Sequence, residues 1–393
     1  LLSLASVLLF SVSAPQPVYL RYAQEYVKQG SIAEIGFPLE FSWFTGLSIK
    51  ALGARGPEAL EVALYLLVVI SIWALARQGG ATARNALLAG LAAALYPRLA
   101  EGVTKIWDVE ISVLLMALLM LGTVSLLRHG LRPSVVLGTA VVFGLSVAQR
   151  PNMLLLFPLP LILVLATAET WRRRLLTLLS AGLLSLLVLV AVNTLAHGSF
   201  FWPQNGPYNF VQGHNEYSRQ AMLQDLSSEQ SVQFIVRADG KNPVGEAQEG
   251  DPELQRYFVR RALAYMKSHP LEEAKLLVVK LWTIFRPDTR THRGSIAMTA
   301  LIVGMALIFP AWLILLLRHS LRQHARGGFG RLDWVFIAAV VLYVLPFVLT
   351  ASDPRYQIPL EICLLSHIAC MAGGGSRNAP PVVGAIALPD ASL

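Results

Sequence analysis

Nine long apolar runs separated by polar connections limit what this chain can fold into more than any other feature. Most approach the length that a helix needs to cross a hydrocarbon core of about 30 Å. The runs cover residues 59–76, 85–100, 111–127, 134–149, 153–168, 175–196, 295–317, 334–351 and 356–372. In lipid, a helix satisfies its own backbone polar groups, so each run predicts a helix. Several are short for a full crossing, which predicts half-helices or tilted pairs.

Composition agrees with a membrane protein and argues against a soluble enzyme. Of the 393 residues, 55% are hydrophobic and 14% are charged, and the mean hydropathy is +0.55. We therefore expect an all-α polytopic membrane protein with about ten transmembrane helices and a small, mostly α-helical soluble segment facing outward.

The order of apolar and polar stretches predicts the organisation of the chain. We interpret residues 1–13 as the outer half of a first transmembrane helix whose start is missing. A signal-peptide core that ends at Ser13-Ala14 is the alternative. The predicted regions are an N-terminal transmembrane region (1–196) with an outward loop (14–58), an outward soluble segment (197–294), C-terminal transmembrane helices (295–372) and a disordered tail (373–393).

The net charge of +8 comes mostly from arginine clusters between apolar runs. Such clusters orient a membrane protein, so we expect no nucleic-acid partner. The clusters at 77–84, 128–133, 169–174 and 318–331 predict that these connections are cytoplasmic. The opposite, outward side then collects the loop 14–58, residues 101–110, Arg150, the soluble segment and residues 352–355.

The polar segment predicts two helices. Asp251 suits an N-cap, Pro252 suits the first helical position, and the apolar stripe that follows has helical spacing up to His269-Pro270. A second helix begins at once, and its apolar face comprises Ala274, Leu277, Val278, Leu281, Trp282 and Phe285. Glu273, Lys275 and Lys280 lie off that face, which suits a helix in the membrane interface.

Asn209, His214 and Asn215 lie in a loop-like stretch rich in hydrogen-bond donors. Loops held over a scaffold often carry binding sites, so we treat the three as candidate substrate-binding residues. For His214, a solvated or hydrogen-bonded surface histidine is the competing interpretation.

Motifs of soluble enzymes are absent from the sequence. It contains no phosphate-cradling glycine loop followed by Lys-Ser/Thr, no His-Glu-x-x-His, no Gly-x-Ser-x-Gly and no paired cysteine metal site. Cys363 and Cys370 would lie roughly 10 Å apart along one helix, beyond disulfide reach.

Four short motifs lie, in order along the chain, in the segments predicted to face outward. They are Tyr19-x-x-Tyr22-Ala23-x-x-Tyr26, Asp108-x-Glu110, Arg150-Pro151-Asn152 and Asp353-Pro354-Arg355-Tyr356. With the large polar segment before the last apolar runs, this order resembles the GT-C superfamily of integral-membrane glycosyltransferases. That group includes protein mannosyltransferases and the aminoarabinose and galacturonic-acid transferases acting on lipid A.

The resemblance implies transfer of a sugar from a polyprenyl-phosphate carrier to a lipid, glycan or protein acceptor outside the cytoplasm. It also implies a catalytic aspartate in the first outward loop, before the Tyr/Ala run. No Asp or Glu precedes Glu25 here. Either Glu25, Glu34 or Glu40 has taken the role, or the base is Asp108 or Glu110, or activity has been lost.

One carboxylate and one or two cations suffice for this chemistry. The carboxylate removes a proton from the acceptor hydroxyl, and the cations stabilise charge on the departing phosphate. Asp108 and Glu110 would diverge by about 200° on a helix, so only one can face a cleft, and we favour Asp108. Either acid could instead simply favour a helix N-terminus. Carboxylates are hard ligands, so a divalent cation is a candidate cofactor, although the metal is unknown.

The candidate substrate-binding residues beside these acids are Arg150, Asn152, Arg355 and Tyr356. The resemblance places an Arg-Tyr pair where Arg355 and Tyr356 stand, and a guanidinium can bind phosphate through two parallel hydrogen bonds. The alternative for Arg355 is an interfacial arginine that reaches the lipid headgroups or pairs with Asp353.

Glu361 and His367 fall within the last apolar run. Ionisable residues inside a bilayer usually face a cavity or a partner. Glu361 could instead lie near the surface, because it is close in sequence to Arg355.

Three functions compete at this stage: a glycosyltransferase that uses a lipid-linked sugar, a transporter or flippase for a lipid-linked glycan, and an O-antigen ligase or polymerase. We expect a bacterial inner (plasma) membrane location with the active site facing outward.

Overall fold

The computed structural model describes residues 17–32, 40–96, 108–167, 170–198, 206–223, 228–240, 251–285, 307–324, 330–350 and 354–372, with single positions 99, 106, 200 and 304. The helices are α1 (Pro17–Gln29), α2 (Glu40–Leu52), α3 (Gly56–Gly79), α4 (Ala83–Ala94), α5 (Val109–His129), α6 (Pro133–Gln149), α7 (Pro158–Thr167), α8 (Trp171–His197), α9 (Gly206–Gly213), α10 (Ser218–Leu223), α11 (Ser228–Ala238), α12 (Pro252–Ser268), α13 (Pro270–Phe285), α14 (Ile308–His324), α15 (Arg331–Leu349) and α16 (Ile358–Ala372). Short 3₁₀ helices occupy Gly53–Arg55, Pro151–Leu156 and Pro354–Gln357.

The predicted all-α class is confirmed: every regular element in these ranges is a helix. Four continuous helical stretches are long and apolar enough to cross a membrane, namely Glu40–Gly79, Val109–His129, Trp171–His197 and Arg331–Leu349. Shorter apolar helices cover Pro133–Gln149, Pro151–Leu165, Ile308–Leu321 and Ile358–Ala372. The predicted first span (1–13) and the tail (373–393) lie outside the described residues.

Two predicted spans differ from the helices observed. The run 85–100 gives α4, whose 12 residues reach about 18 Å and cannot cross alone. The run 153–168 is divided at Pro158, where the 3₁₀ helix Pro151–Leu156 gives way to α7. Proline lacks the backbone N–H that a continuous helix would need there.

α5 forms the centre of the bundle, because 83% of its most apolar stretch is buried inside the protein. It packs against α3, α6 and α16. A helix that is enclosed all round needs apolar residues all round, which explains its unbroken hydrophobic sequence. α8 is the opposite case, since 0% of its equivalent stretch is buried. Its leucines face outward, as expected for a helix in contact with lipid.

The helices between α8 and α14 have a small hydrophobic core of their own. α9 packs against α12, and the shared core contains Tyr208, Val211, Val232, Ile235, Val236, Phe258 and Ala262. The predicted start of α12 is confirmed: the Asp251 side chain accepts a hydrogen bond from the Glu253 N–H at 2.9 Å. The helix ends at Ser268 before His269, as predicted.

α13 is oriented with its apolar face away from the protein. Val278 and Trp282 on that face are 66% and 61% exposed, whereas Glu273 and Lys280 are buried. A soluble protein would place such a helix the other way round. The arrangement suits a helix whose apolar face contacts lipid at the membrane interface.

Candidate functional site

The centre of the candidate site is an ion pair between two helix ends. Asp108 stands immediately before α5 and Arg150 immediately after α6. Because the two helices are neighbours that run in opposite directions, the start of one lies beside the end of the other. An Arg150 guanidinium nitrogen lies 2.7 Å from an Asp108 carboxylate oxygen. The side chains are 13% and 14% exposed for Arg150 and Asp108, respectively, so the pair is sheltered but accessible.

Ser112 fixes the orientation of the guanidinium. The Arg150 Nε–H donates to Ser112 Oγ at 2.8 Å. The Ser112 hydroxyl donates to the backbone carbonyl of Asp108 at 2.7 Å. The arginine is therefore held at two points by residues one helical turn apart.

Tyr356 forms an aromatic wall of the site. The Arg150 Cζ lies 5.8 Å from the centroid of its ring, and this ring stacks on Phe347 with centroids 4.2 Å apart. Burial alone would lower the pKa of Arg150, but the charge of Asp108, with smaller contributions from nearby tyrosines, raises it on balance. A permanent cation thus lies between a carboxylate and an aromatic face.

Glu110 lies apart from this cleft, although it is two residues from Asp108. It is in the first turn of α5 and is fully buried, while Asp108 keeps partial exposure. The divergence that helix geometry predicts is therefore present. Of the two acids, Asp108 is the one that keeps accessible surface.

The other candidate acids occupy different places. Glu25 is partly exposed in α1. Tyr19 of the same helix is close enough to Arg150 to act on it electrostatically, and Glu25 lies about 9 Å farther along the axis. Glu40 is buried and contacts the Asn193 amide at 3.5 Å. Glu34 lies outside the described residues.

The remaining substrate-binding candidates are divided among three places. Asn152 is half-buried in the 3₁₀ helix that follows Arg150, and Asn209 is half-buried in α9. Arg355 belongs to the 3₁₀ helix Pro354–Gln357, but its side chain lies outside the described part of the structure.

Asn215 stabilises a turn. Its amide nitrogen donates to the carbonyls of Val211 and Gln212 at 2.6 and 3.2 Å. Its side-chain oxygen accepts from the Tyr217 N–H at 2.7 Å. These bonds use the polar atoms of the side chain within the chain itself.

His214 belongs to a buried cluster of charged residues. Its Nδ1 lies 2.7 Å from Glu273 Oε2, and its Nε2 lies 3.1 Å from Lys280 Nζ and 2.9 Å from the Leu349 carbonyl oxygen. Of the competing interpretation, a solvated or hydrogen-bonded surface histidine, the hydrogen bonds are present, but His214 is buried and does not lie at the surface. The cluster joins the α9 and α13 region to the end of α15.

The two contacts of His214 Nε2 exclude each other as hydrogen bonds. The Leu349 carbonyl only accepts, so it needs a proton on Nε2, whereas the Lys280 ammonium only donates and needs Nε2 without one. His214 Nε2 can therefore form only one of these two hydrogen bonds at a time. Glu273 is close enough to Lys280 for its carboxylate to act on the lysine electrostatically.

Sequence reasoning missed Glu273 and Lys280 as interior partners. They are seven residues apart, which places them on one face of a helix. This spacing could have predicted that the two side chains are neighbours. It could not predict that they are buried, because the opposite face of the helix is the apolar one and would be expected to face the protein interior.

The cluster predicts a pH dependence of stability. Burial lowers the pKa of Lys280 from 10.5 to about 8, although Glu273 acts in the other direction. Between these two pH values the unfolded chain binds more protons than the folded chain, so the free energy of unfolding should rise with pH by roughly 1 kcal/mol per pH unit.

We expect the Tm of the parent to rise relative to that of Lys280→Met from about pH 8 to about pH 10. Lys275→Met, at an exposed lysine of the same helix, should keep the slope of the parent. Equal slopes in all three proteins would contradict the assignment.

A second polar network lies between α14, α15 and α16. His367 Nε2 lies 2.9 Å from Asp333 Oδ1, and the Trp312 N–H donates to His367 Nδ1 at 2.9 Å.

Glu361 is fully buried and accepts a hydrogen bond from the Tyr96 hydroxyl at 2.5 Å. The expectation that Glu361 could lie near the surface is therefore wrong.

The described residues do not fit a divalent cation. Among them, no group of three or more His, Cys, Asp or Glu side chains could hold a metal. Asp108 is paired with a guanidinium instead of a second carboxylate.

No family model matches the chain, and no curated protein matches it. Among solved structures, the chain is similar to the crystal structure of ArnT from Cupriavidus metallidurans in the apo state. The identity is 14%, the TM-score is 0.37, and the match covers 91% of this chain and 73% of that one. A likeness at this level assigns neither a substrate nor a catalytic residue.

Proposed function

We propose that the protein is a membrane glycosyltransferase of the GT-C kind, which moves a sugar from a polyprenyl-phosphate carrier to an acceptor outside the cytoplasm. The observation that carries the proposal is the accessible Asp108–Arg150 pair beside Tyr356. It combines a carboxylate, a permanent cation and an aromatic face at the ends of membrane helices. These are the groups that transfer from a phosphate-linked sugar needs.

In the proposed reaction, the acceptor oxygen bonds to the anomeric carbon of the sugar as the bond from that carbon to the phosphate oxygen breaks. The acceptor proton passes to Asp108, and the electron pair leaves with the polyprenyl phosphate. Arg150 stabilises the charge that develops on the leaving phosphate. This interaction is stronger in the transition state than with the bound donor, so it accelerates the step.

Arg355 is proposed as a second phosphate-binding residue. The polypeptide places it next to Tyr356 in the 3₁₀ helix before α16. A guanidinium remains charged in a partly apolar cleft and can form two parallel hydrogen bonds. On this proposal, Arg355→Lys retains only part of the donor use, because a point charge cannot reproduce the fork.

The proposed orientation predicts the sidedness of two loops. A tag in the turn between α5 and α6, at Gly130, should be cytoplasmic, because Arg128 and Arg132 flank that turn. A tag after Gly240, between α11 and α12, should be extracytoplasmic. Labelling of intact cells with an impermeant reagent distinguishes the two. A Gly240 tag that reacts only after lysis would reverse the orientation and place the site in the cytoplasm.

The function is tested by incubating purified protein in lipid nanodiscs with a polyprenyl-phosphate sugar and an acceptor extract. We expect free polyprenyl phosphate and a glycosylated product to form together. A transporter or flippase would leave the donor intact. Donor that stays intact with a folded protein, across several sugars and acceptors, would contradict the proposal.

A further inference from the structure

Tyr343 carries a buried hydroxyl that no other described side chain or backbone group contacts by a hydrogen bond. Its side chain, in α15, is 2% exposed. Its hydroxyl has no hydrogen-bond partner among the described residues. A buried hydroxyl without a partner costs free energy, and phenylalanine would fill the same space without that cost. Since nothing among the described residues uses this hydroxyl, it is available to a ligand.

The location of this hydroxyl ties it to the candidate site. The Tyr343 ring packs edge-on against Phe347, with centroids 5.4 Å apart, and Phe347 stacks on Tyr356. Arg150, Tyr356 and Asp108 are all close enough to act on Tyr343 electrostatically. An aromatic series thus leads from Arg150 into the membrane helix α15. Tyr343 lies at its inner end.

The neighbouring charges select the kind of ligand. A phenolic O–H donates well to an anionic oxygen, and Arg150 attracts an anion to the same place. Tyr343 stands on a membrane helix, which suits a donor whose carrier is a lipid. In the proposed reaction, Asp108 takes the proton of the acceptor.

We propose that the Tyr343 hydroxyl donates a hydrogen bond to the phosphate of the polyprenyl carrier and is a specificity residue for that lipid. The inference rests on the proposed function and deepens it. Arg150 and Tyr343 then bind the phosphate from two sides, one by charge and one by a directed hydrogen bond. The binding should distinguish a polyprenyl phosphate from a polyprenyl alcohol, which lacks the anionic oxygens.

Tyr343→Phe tests the proposal, because it removes only the hydroxyl. We expect the variant to be at least as heat-stable as the parent, since a buried hydroxyl without a partner is lost. Its dissociation constant for undecaprenyl phosphate should rise roughly tenfold, the expected effect of losing a hydrogen bond to a charged group. Its affinity for undecaprenol should be unchanged. Both constants come from titrations in detergent micelles.

Tyr96→Phe is the matched control, because the buried Tyr96 hydroxyl donates to Glu361. This variant should lose heat stability and keep the affinity of the parent for undecaprenyl phosphate. If the parent binds undecaprenyl phosphate more tightly than undecaprenol and Tyr343→Phe binds it equally well, the Tyr343 assignment is wrong and the proposed function stands. If the parent does not discriminate between the two lipids, the proposed function fails along with it.

Discussion

Asp108→Asn should lower the rate of sugar transfer at least about a hundredfold, the usual effect of removing a general base. The amide keeps the shape of the carboxylate and can still accept a hydrogen bond from Arg150, so the helix ends should stay together. What it loses is the ability to take a proton from the acceptor hydroxyl. The measurement is the initial rate of product formation with saturating donor, so that weaker donor binding does not imitate the effect.

Glu25→Gln is the control for this experiment. Glu25 is the alternative base, but it lies farther along α1 from the part that approaches Arg150. Its replacement should leave the rate close to that of the parent. A rate at the level of the parent in Asp108→Asn, combined with a large loss in Glu25→Gln, would move the base to α1. Full rates in both variants would remove both residues from catalysis.

Glu273→Gln should destabilise the folded protein by roughly 3 kcal/mol, because it leaves the buried Lys280 ammonium without the carboxylate that acts on it. Lys280 is completely buried, so water cannot replace the carboxylate. The effect should be seen as a lower midpoint in denaturant-induced unfolding in micelles. Protease cleavage between α11 and α12 should also become faster if the cluster secures this region to α15.

The adjacent Glu272 provides a matched control. It forms an ion pair with Lys275 at 2.7 Å, but both side chains are exposed, and such pairs contribute about 0–1 kcal/mol. Glu272→Gln should therefore have little effect. The double variant Glu273→Gln/Lys280→Met should regain much of the lost stability, because it removes both charges. Equal, small effects at positions 272 and 273 would show that the buried cluster does not stabilise the fold.

The helices could be predicted from the sequence where local features, such as capping residues and apolar runs, mark their positions. The N-cap at Asp251 and the proline at the first helical position gave the start of α12, and the run 334–351 gave α15 to within a few residues. α4 was predicted too long, because hydrophobicity continues past Leu95 although the helix ends at Ala94. Local hydrophobicity predicts which residues lie in an apolar environment, but it does not predict where a helix ends.

The candidate site could be predicted only in part. Asp108, Arg150 and Tyr356 were each recognisable as polar or aromatic residues at those ends of apolar runs that are predicted to face outward. Their meeting depends on which helix ends are neighbours, and Asp108 and Arg150 are 42 residues apart. Tyr343 carried no signal, because a tyrosine in a membrane helix is ordinarily a packing residue. Only the environment of its hydroxyl in the folded chain distinguishes it.

The most direct test of the Asp108–Arg150 site is the initial rate of polyprenyl phosphate release from a polyprenyl-phosphate sugar by three proteins: the parent, Arg150→Lys and Arg150→Ala. Each is first shown to be folded by its elution profile and thermal unfolding. We expect release by the parent, a strongly reduced rate for Arg150→Lys, which keeps the charge without the fork, and almost none for Arg150→Ala. Release by a folded Arg150→Ala variant at the rate of the parent would contradict the account.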